Sequence, residues 1–467
     1  QTLFRIECIT IPLTEDGMHM LREVKGHLDR NTFAMVSRHA GLKRIFDLIG
    51  MDQIIKKARK KDLNKYRKDY TVEGELLSII GMHIYDLDSV NHLHSTLSSS
   101  KGLRYSCSFP NDAPSRSQMS RDINSMDIEF VIKVFDEIRA TARKLGVYKS
   151  TEHSNMMNEL KKLGDHLLIS IDASLLVLKE GLFPFLKKGY STLTGKQEYG
   201  MNLGHCVNAD STTALVVTDG DIHETNRFEE LVRQTIQSCG TVKLILTMDK
   251  GYYDHNRFQF LCDASIYFVT LRKNYSLNRA ELYPDEDVEK VIGKKRIVDG
   301  FIKLNGMRTR LRWIRVYEDG KDKPFEVITN MFDFPIEIVI SIYGERWPIE
   351  LLFKDVKQNF GLRQPIGRSR NALLFHIYAV FISYLILQIF RHLLGGNYIK
   401  MSMLIFRRAI LHSDEFDVLM GKPPPLDENG DEKSPVKLLF QGNFLLLSSI
   451  QPTVGYSFLS FLLSWFT

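Results

Sequence analysis

Cysteine is scarce in this chain. The five present, Cys8, Cys107, Cys206, Cys239 and Cys262, are odd in number and scattered, with no Cys-x-x-Cys pair and no zinc-ligand spacing. That excludes a disulfide scaffold and a zinc module, and points to a reducing compartment. A secretory leader is not read either, because QTLFRIECIT has no basic segment followed by an apolar one. Long hydrophobic runs are limited to one, ALLFHIYAVFISYLILQIF at 372–390. Its length nearly suffices for a bilayer, yet His376, Tyr378, Ser383, Tyr384 and Gln388 interrupt it and no second convincing span accompanies it. A buried core helix is expected. Nor is charge of one sign in large excess: 62 Lys and Arg against 56 Asp and Glu leave +6, compatible with a polyanionic partner without requiring one.

What is there is an ordinary globular composition, 44% hydrophobic and 25% charged over 467 residues, long enough for two to four domains. Residues 1–155 read as a mainly helical region. Within it IIKKARKKDLNKYRKDY (54–70) crowds eight cations around two acids, a density suited to a phosphate backbone or to a solvated helical face. Further on, Ser117 is the expected N-cap of a helix pair, and Arg116, Gln118, Ser120, Arg121 and Asn124 are side-chain types that reach phosphates and base edges from a recognition helix.

From His166 the pattern turns to strands. HLLISIDASLLVL carries Asp172 toward its expected end; MNLGHCVNAD and TTALVVTDG follow; a helix runs to about Cys239; VKLILTMD ends in Asp249; a second helix leads to IYFVTLRKN. Three strands, helix, strand, helix, strand is the order of an RNase H-like α/β core, expected over 160–272 and 326–365. Asp219, Asp221 and His223 read as shaping the turn before the helix, with an approach to a metal as the alternative. Residues 273–325 read as a β-rich insertion. There Asn305-Gly306 signals a two-residue hairpin, Arg308, Arg310 and Arg312 are expected on one strand face, and Leu311, Trp313 and Tyr317 on the other. Residues 366–467 form a helical C-terminal region with a linker at 421–436 and a tail, after Lys437, without a charged side chain.

One stretch organises the rest: IYGERWPIELLFKDVKQNFGL at 342–362. On an unbroken helix, at about 100° per residue, Tyr343, Arg346, Glu350 and Lys357 fall within roughly 60° of one another. Pro348 should kink that helix or sit in its first turn, and Gly361 should end it. Glu350 then joins Asp172 and Asp249 as a set of three acids. Carboxylates that converge repel unless a cation neutralises them, and hard oxygen donors without Cys or His favour Mg²⁺ or Mn²⁺. Two such ions about 4 Å apart activate an attacking oxygen and stabilise a leaving one at phosphorus. Asp172 would bridge them, Asp249 and Glu350 would complete either side, and Arg346, Lys357 and Tyr343 would hold phosphate oxygens.

With these residues the sequence resembles the DDE transposases of bacterial insertion sequences. Tyr343-x2-Arg346-x3-Glu350-x6-Lys357 is similar to their YREK signature, and the DKGYYD loop and the insertion before the Glu resemble theirs too. The resemblance implies an RNase H-like catalytic domain, Mg²⁺-dependent cleavage at transposon ends, and 3′-OH attack on target DNA. It also implies a homodimer in the synaptic complex and a cytoplasmic, nucleoid-associated protein without a membrane. In related enzymes a Trp of the insertion stacks on a flipped base, which makes Trp313 a candidate beside the plainer reading that it packs with Leu311 and Tyr317. Two other readings stay open: an RNase H-like nuclease without strand transfer, and an inactive DNA-binding regulator.

Overall fold

The apolar run at 166–178 forms β1 (His166–Val177), and a sheet is built outward from it. The structure, a computed structural model, describes residues 40–412 except 66, 68, 110, 149–163, 165, 192–193, 209–210, 241–242, 274–279, 293–294, 319, 321–322, 395–398 and 400. Residues 1–39, with Cys8, as well as Lys68, the linker expected at 421–436 and the uncharged tail, lie outside the described residues.

The other strands are β2 (Lys187–Ser191), β3 (Lys196–Asn208), β4 (Ser211–Asp219), β5 (Lys243–Met248), β6 (Tyr267–Leu271), β7 (Ala280–Ile292), β8 (Lys295–Leu304), β9 (Leu311–Tyr317) and β10 (Phe325–Thr329). Their order in one mixed sheet is β2-β3-β1-β5-β6-β10-β9-β8-β7, with β4 also on β3. β1 is antiparallel to β3 and parallel to β5, and β5 is parallel to β6. The helices, in chain order, are α1 (Ala40–Leu48), α2 (Met51–Ala58), α3 (Val72–Ile84), α4 (Val90–Ser99), α5 (Lys101–Ser106), α6 (Arg116–Asn124), α7 (Ile128–Lys144), α8 (Phe228–Cys239), α9 (His255–Asp263), α10 (Ile336–Gly344), α11 (Trp347–Asn359), α12 (Arg370–Leu394) and α13 (Met403–His412).

Three local expectations are corrected. β2 is an extra strand, and β3 starts five residues before MNLGHCVN because its first residues pair with β2. The strands of 273–325 are β-rich, as read, yet they prolong the same sheet. β10 pairs with β6 on one edge and with β9 on the other, which satisfies backbone groups that an edge strand would leave open. The hairpin at Asn305-Gly306 is longer than two residues. Gly306, at φ 85°, lets the Met307 N–H reach the Leu304 carbonyl at 3.0 Å. The Gln259 side chain of α9 then accepts from the Arg308 and Thr309 N–H groups (2.7 and 3.3 Å), so β9 begins only at Leu311.

The chain divides into two units, one of residues 1–134 and 378–467, the other of 135–377. In the first, the C-terminal helices join the N-terminal ones: the Ser383 hydroxyl donates to the Ile80 carbonyl at 3.2 Å, and Arg407 donates to the His83 carbonyl and pairs with Asp86 at 3.0 Å. α12 is long and apolar enough to cross a membrane, but 94% of its most apolar window is buried, in keeping with the expected core helix. In the second unit, α8 packs on β3 and β4, and α11 on β1 and β3.

Backbones approach closely where β3 meets β1, and a Cβ on Gly200 would lie 2.3 Å from the Leu176 carbonyl oxygen. Gly200→Ala is therefore expected to destabilise the protein by about 1–3 kcal/mol through forced backbone movement. A urea midpoint unchanged from wild type would refute this.

Candidate active site

β1 and β5 run parallel with Ser170 opposite Thr247 and Ile171 opposite Met248. One step further along both strands, Asp172 stands level with Asp249. Alternation puts Ser170 and Asp172 on one face of β1, and Thr247 on the matching face of β5. Asp249 leaves the end of β5 as expected, its carboxylate accepting the Lys250 N–H at 2.6 Å. Asp172 does not sit at a strand end, because β1 continues to Val177 along β3, where Asp172 is paired with His205.

The 342–362 stretch is two helices rather than one. α10 ends at Gly344 and α11 starts at Trp347, with Pro348 in the first turn, where a missing N–H breaks no hydrogen bond. The break is shallow. Glu345 (φ −72°, ψ 5°) and Arg346 (φ −70°, ψ −26°) keep nearly helical angles, so Arg346 and Glu350 retain an i,i+4 relation. Arg346 Nη2 meets Glu350 Oε1 at 2.6 Å and its Nη1 lies 3.8 Å from Asp172 Oδ2. Tyr343, buried on α10, packs its ring 5.8 Å from that of Phe325 and 5.9 Å from the Arg346 guanidinium carbon. Gly361, at φ 69°, follows the end of α11, and the Leu362 N–H turns back to the Val356 carbonyl at 3.3 Å. Lys357 is fastened to β1: its ammonium donates to the Ser174 hydroxyl and, at 3.1 Å, to the Leu175 carbonyl.

The electrostatics follow from this packing. Burial pushes the Asp172 carboxyl up to about 6. The Ala173 N–H and Arg346 pull it down, and Asp249 and Glu350 push it up again. Burial lowers Lys357 to about 8, with Arg363 acting in the same direction. Asp172 thus feels both other acids, although among the described residues no three His, Cys, Asp or Glu side chains are grouped closely enough to hold an ion as they stand. Arg346 occupies the position between Asp172 and Glu350. The donor set is all carboxylate oxygen, which fits a hard divalent cation and not zinc.

The arginine face expected in the insertion is not formed. Arg308 and Arg310 precede β9; Arg308 pairs with Asp263 at 2.6 Å, and Arg310 lies 4.3 Å from the Phe301 ring centre. Arg312 is buried, bonded to Asp299 and, at 2.9 and 2.6 Å, to the Met331 and Phe334 carbonyls. Trp313 is 5% exposed, with the guanidinium groups of Arg315 and Arg272 at 4.0 and 4.9 Å from its ring, so its face is not open to a base. Asp219 pairs with Arg370 at 2.7 Å, and His223 caps the turn through the Thr225 N–H, in keeping with a turn.

In the other unit, part of the basic stretch is taken up by acids: Arg59 by Glu73, Lys60 by Asp127 and Glu129, and Arg67 by Asp122. α6 is capped by Ser115 instead of Ser117, since the Ser115 hydroxyl accepts the Gln118 N–H at 3.2 Å. It exposes Arg116, Ser120, Arg121 and Asn124 and buries Met119, Asp122 and Ile123.

Residues 163–386 match the family described as the transposase DDE domain. The chain is 25% identical over 247 residues to the Sinorhizobium fredii protein named as transposase y4zB, covering 49% of this chain and 63% of that one. It is 29% identical over 150 residues to the transposase named for insertion sequence element IS5377 of Geobacillus stearothermophilus (31% and 38%). A Synechocystis transposase named for element IS4SA is 25% identical over 175 residues (38% and 48%). The chain thus spans less than two thirds of the length of each. The piggyBac transposase synaptic complex with hairpin DNA is similar at a TM-score of 0.41 and 12% identity, over 91% of this chain and 88% of that one, too low to argue from.

Around the three acids stand residues that the motif did not contain. Ser170 and Thr247 are buried and hydrogen-bonded to each other at 3.1 Å, and Ser174 holds Lys357. A signal for the first two was present: Ser170-Ile171-Asp172 and Thr247-Met248-Asp249 share one pattern of hydroxyl, apolar residue and acid.

An acid that holds its proton more tightly when folded costs stability as pH rises from its unfolded value, about 4, through its folded value near 6. In metal-free buffer at pH 7.5, Asp172→Asn is therefore expected to stabilise the protein by about 1–3 kcal/mol. The gain should vanish near pH 4. Thermal melts at the two pH values check this, and an equal or lower melting point at pH 7.5 contradicts it.

Proposed function

We propose that this protein is a DNA transposase that cuts at transposon ends and joins them to target DNA. Asp172, Asp249 and Glu350 are its metal-binding acids, and 160–272 with 326–365 form an RNase H-like catalytic domain. The reading rests above all on one observation: the β1–β5 register brings Asp172 level with Asp249, while Arg346 bridges Asp172 to Glu350. The family match and the transposase relatives support it.

Divalent ions, Mg²⁺ in the cell with Mn²⁺ able to substitute, supply the charge that activates the attacking oxygen and stabilises the leaving one. The protein's own groups do the rest. Asp172, raised by burial, releases its proton readily once a cation is near. Arg346, a planar donor fork, turns from the carboxylates to phosphate oxygens, with Tyr343 beside it. Lys357 steadies β1 next to Asp172 and adds positive potential. Arg308, exposed and held only by a surface pair, is the insertion arginine that best suits a DNA backbone.

Residues 1–155 bind the element ends, with α6 as the helix that reads bases, and two copies of the chain pair the ends in the synapse. The protein works in the cytoplasm on nucleoid DNA.

The test is a labelled duplex bearing the inverted repeats found by sequencing the DNA beside the coding region. Wild type with Mg²⁺ should nick this duplex and join it to a plasmid. Asp172→Ala, Asp249→Ala and Glu350→Ala should each lower cleavage by at least about 10³-fold, in the range seen when a group stabilising transition-state charge is lost. Binding of the duplex should persist. Full cleavage by the Glu350 variant defeats the assignment, and cleavage without joined product identifies a nuclease instead.

A further inference from the structure

Beneath the three acids lies a chain of hydroxyls that connects the elements carrying them. The Thr247 hydroxyl of β5 donates to the Ser170 hydroxyl of β1 at 3.1 Å, and Ser170 donates to the Glu345 carbonyl at 2.8 Å. Thr247 is fully buried and Ser170 is 3% exposed. Each link stands close in sequence to an acid or its partner. Thr247 is two residues before Asp249, Ser170 two before Asp172, and Glu345 next to Arg346 and five before Glu350.

The third link has a clear physical origin. Where α10 gives way to α11, the Ile349 N–H, which a continuous helix would give to the Glu345 carbonyl, turns to the Arg346 carbonyl at 3.4 Å, and the Glu345 carbonyl is left for another donor. Ser170 is that donor. The bond is half-buried, and a carbonyl left without a partner there costs part of the roughly 1–3 kcal/mol of a fully buried one, which favours this seat on β1.

We infer that Ser170, with Thr247 behind it, is a positioning residue: it fixes the α10–α11 junction to β1 and β5 and so sets the distance of Glu350 from Asp172 and Asp249. The inference rests on the metal-binding reading of the three acids given above. Ser170 touches none of the reacting groups. It acts through the backbone of Glu345, and its loss lets the Glu350 carboxylate drift from the other two. Supporting groups of this kind typically govern metal affinity by 10–100-fold.

The experiment is Mn²⁺ binding to the full chain without DNA, followed by electron paramagnetic resonance of the free ion. Asp172→Asn identifies the binding that belongs to this site. Ser170→Ala and Thr247→Val should weaken that binding about tenfold and about threefold, within or below the range for supporting groups. Ser170→Thr, which keeps the hydroxyl, should return it to within about twofold of wild type. Ser238→Ala serves as the control for a merely structural hydroxyl: it removes a buried bond to the Thr213 carbonyl at 2.8 Å on α8 and should lower the melting point without moving the Mn²⁺ affinity. If Ser170→Ala does not fold, Thr247→Val decides alone. Wild-type affinity in both variants overturns the inference, and so does equal weakening by Ser238→Ala. If wild type itself binds no Mn²⁺ that Asp172→Asn removes, the metal reading of the acids fails and the inference with it.

Discussion

The guanidinium of Arg346 is the interaction on which the site depends. Among the three carboxylates Asp172 meets two problems, burial first and then the like charges of Asp249 and Glu350, and both push its carboxyl up. Arg346 answers both, at 2.6 Å from Glu350 and 3.8 Å from Asp172. It does so from a half-in position at the helix start, where the first turn of α11 also favours the Glu350 charge. A half-buried pair of this kind is an organiser more than a source of stability. It holds the two acids in place.

That position exists because the helix is broken. Were 336–359 one continuous helix, the 345 carbonyl would be spent inside it, and Ser170 would have nothing to hold. The ladder is interrupted at the junction, which keeps nearly helical angles, and Ser170 captures the freed Glu345 carbonyl. Lys357 makes a second attachment about three turns later, to Ser174 and Leu175 on the same strand. α11 is therefore fastened to β1 on both sides of the acids. The geometry of the three acids is a property of this strand–helix pair and of the β5 register, and the insertion strands extend the sheet without entering it.

Much of this was legible in the chain. The apolar runs gave β1, β3, β4, β5, β6 and β10, because buried strands have no alternative but continuous hydrophobicity. Asp249 at its strand end, the break near Pro348 and the buried nature of α12 were legible for the same local reasons. Less was visible in the insertion. Alternating Arg308, Arg310 and Arg312 looked like one basic face, but Gln259, from a distant helix, captured the amides at 308 and 309 and delayed the strand. Arg312 and Trp313 were then buried by Asp299, Arg315 and Arg272, partners that no local pattern names. The N-cap of α6 is Ser115, two residues before Ser117, and its hydroxyl takes the Gln118 N–H.

By itself the sequence determined which side chains are available and on which elements: three acids, a helix-breaking proline between Arg346 and Glu350, and a hydroxyl two residues before each strand acid. Those facts are local, set by residue chemistry and by periods of two and 3.6. Tertiary structure decided who meets whom. Whether Ser170 faces Thr247, whether Arg346 reaches Asp172 as well as Glu350, and whether Lys357 turns to β1 all depend on strand register and on how α11 sits upon the sheet. Those are set by packing between segments some 75 to 185 residues apart, which no window along the chain contains.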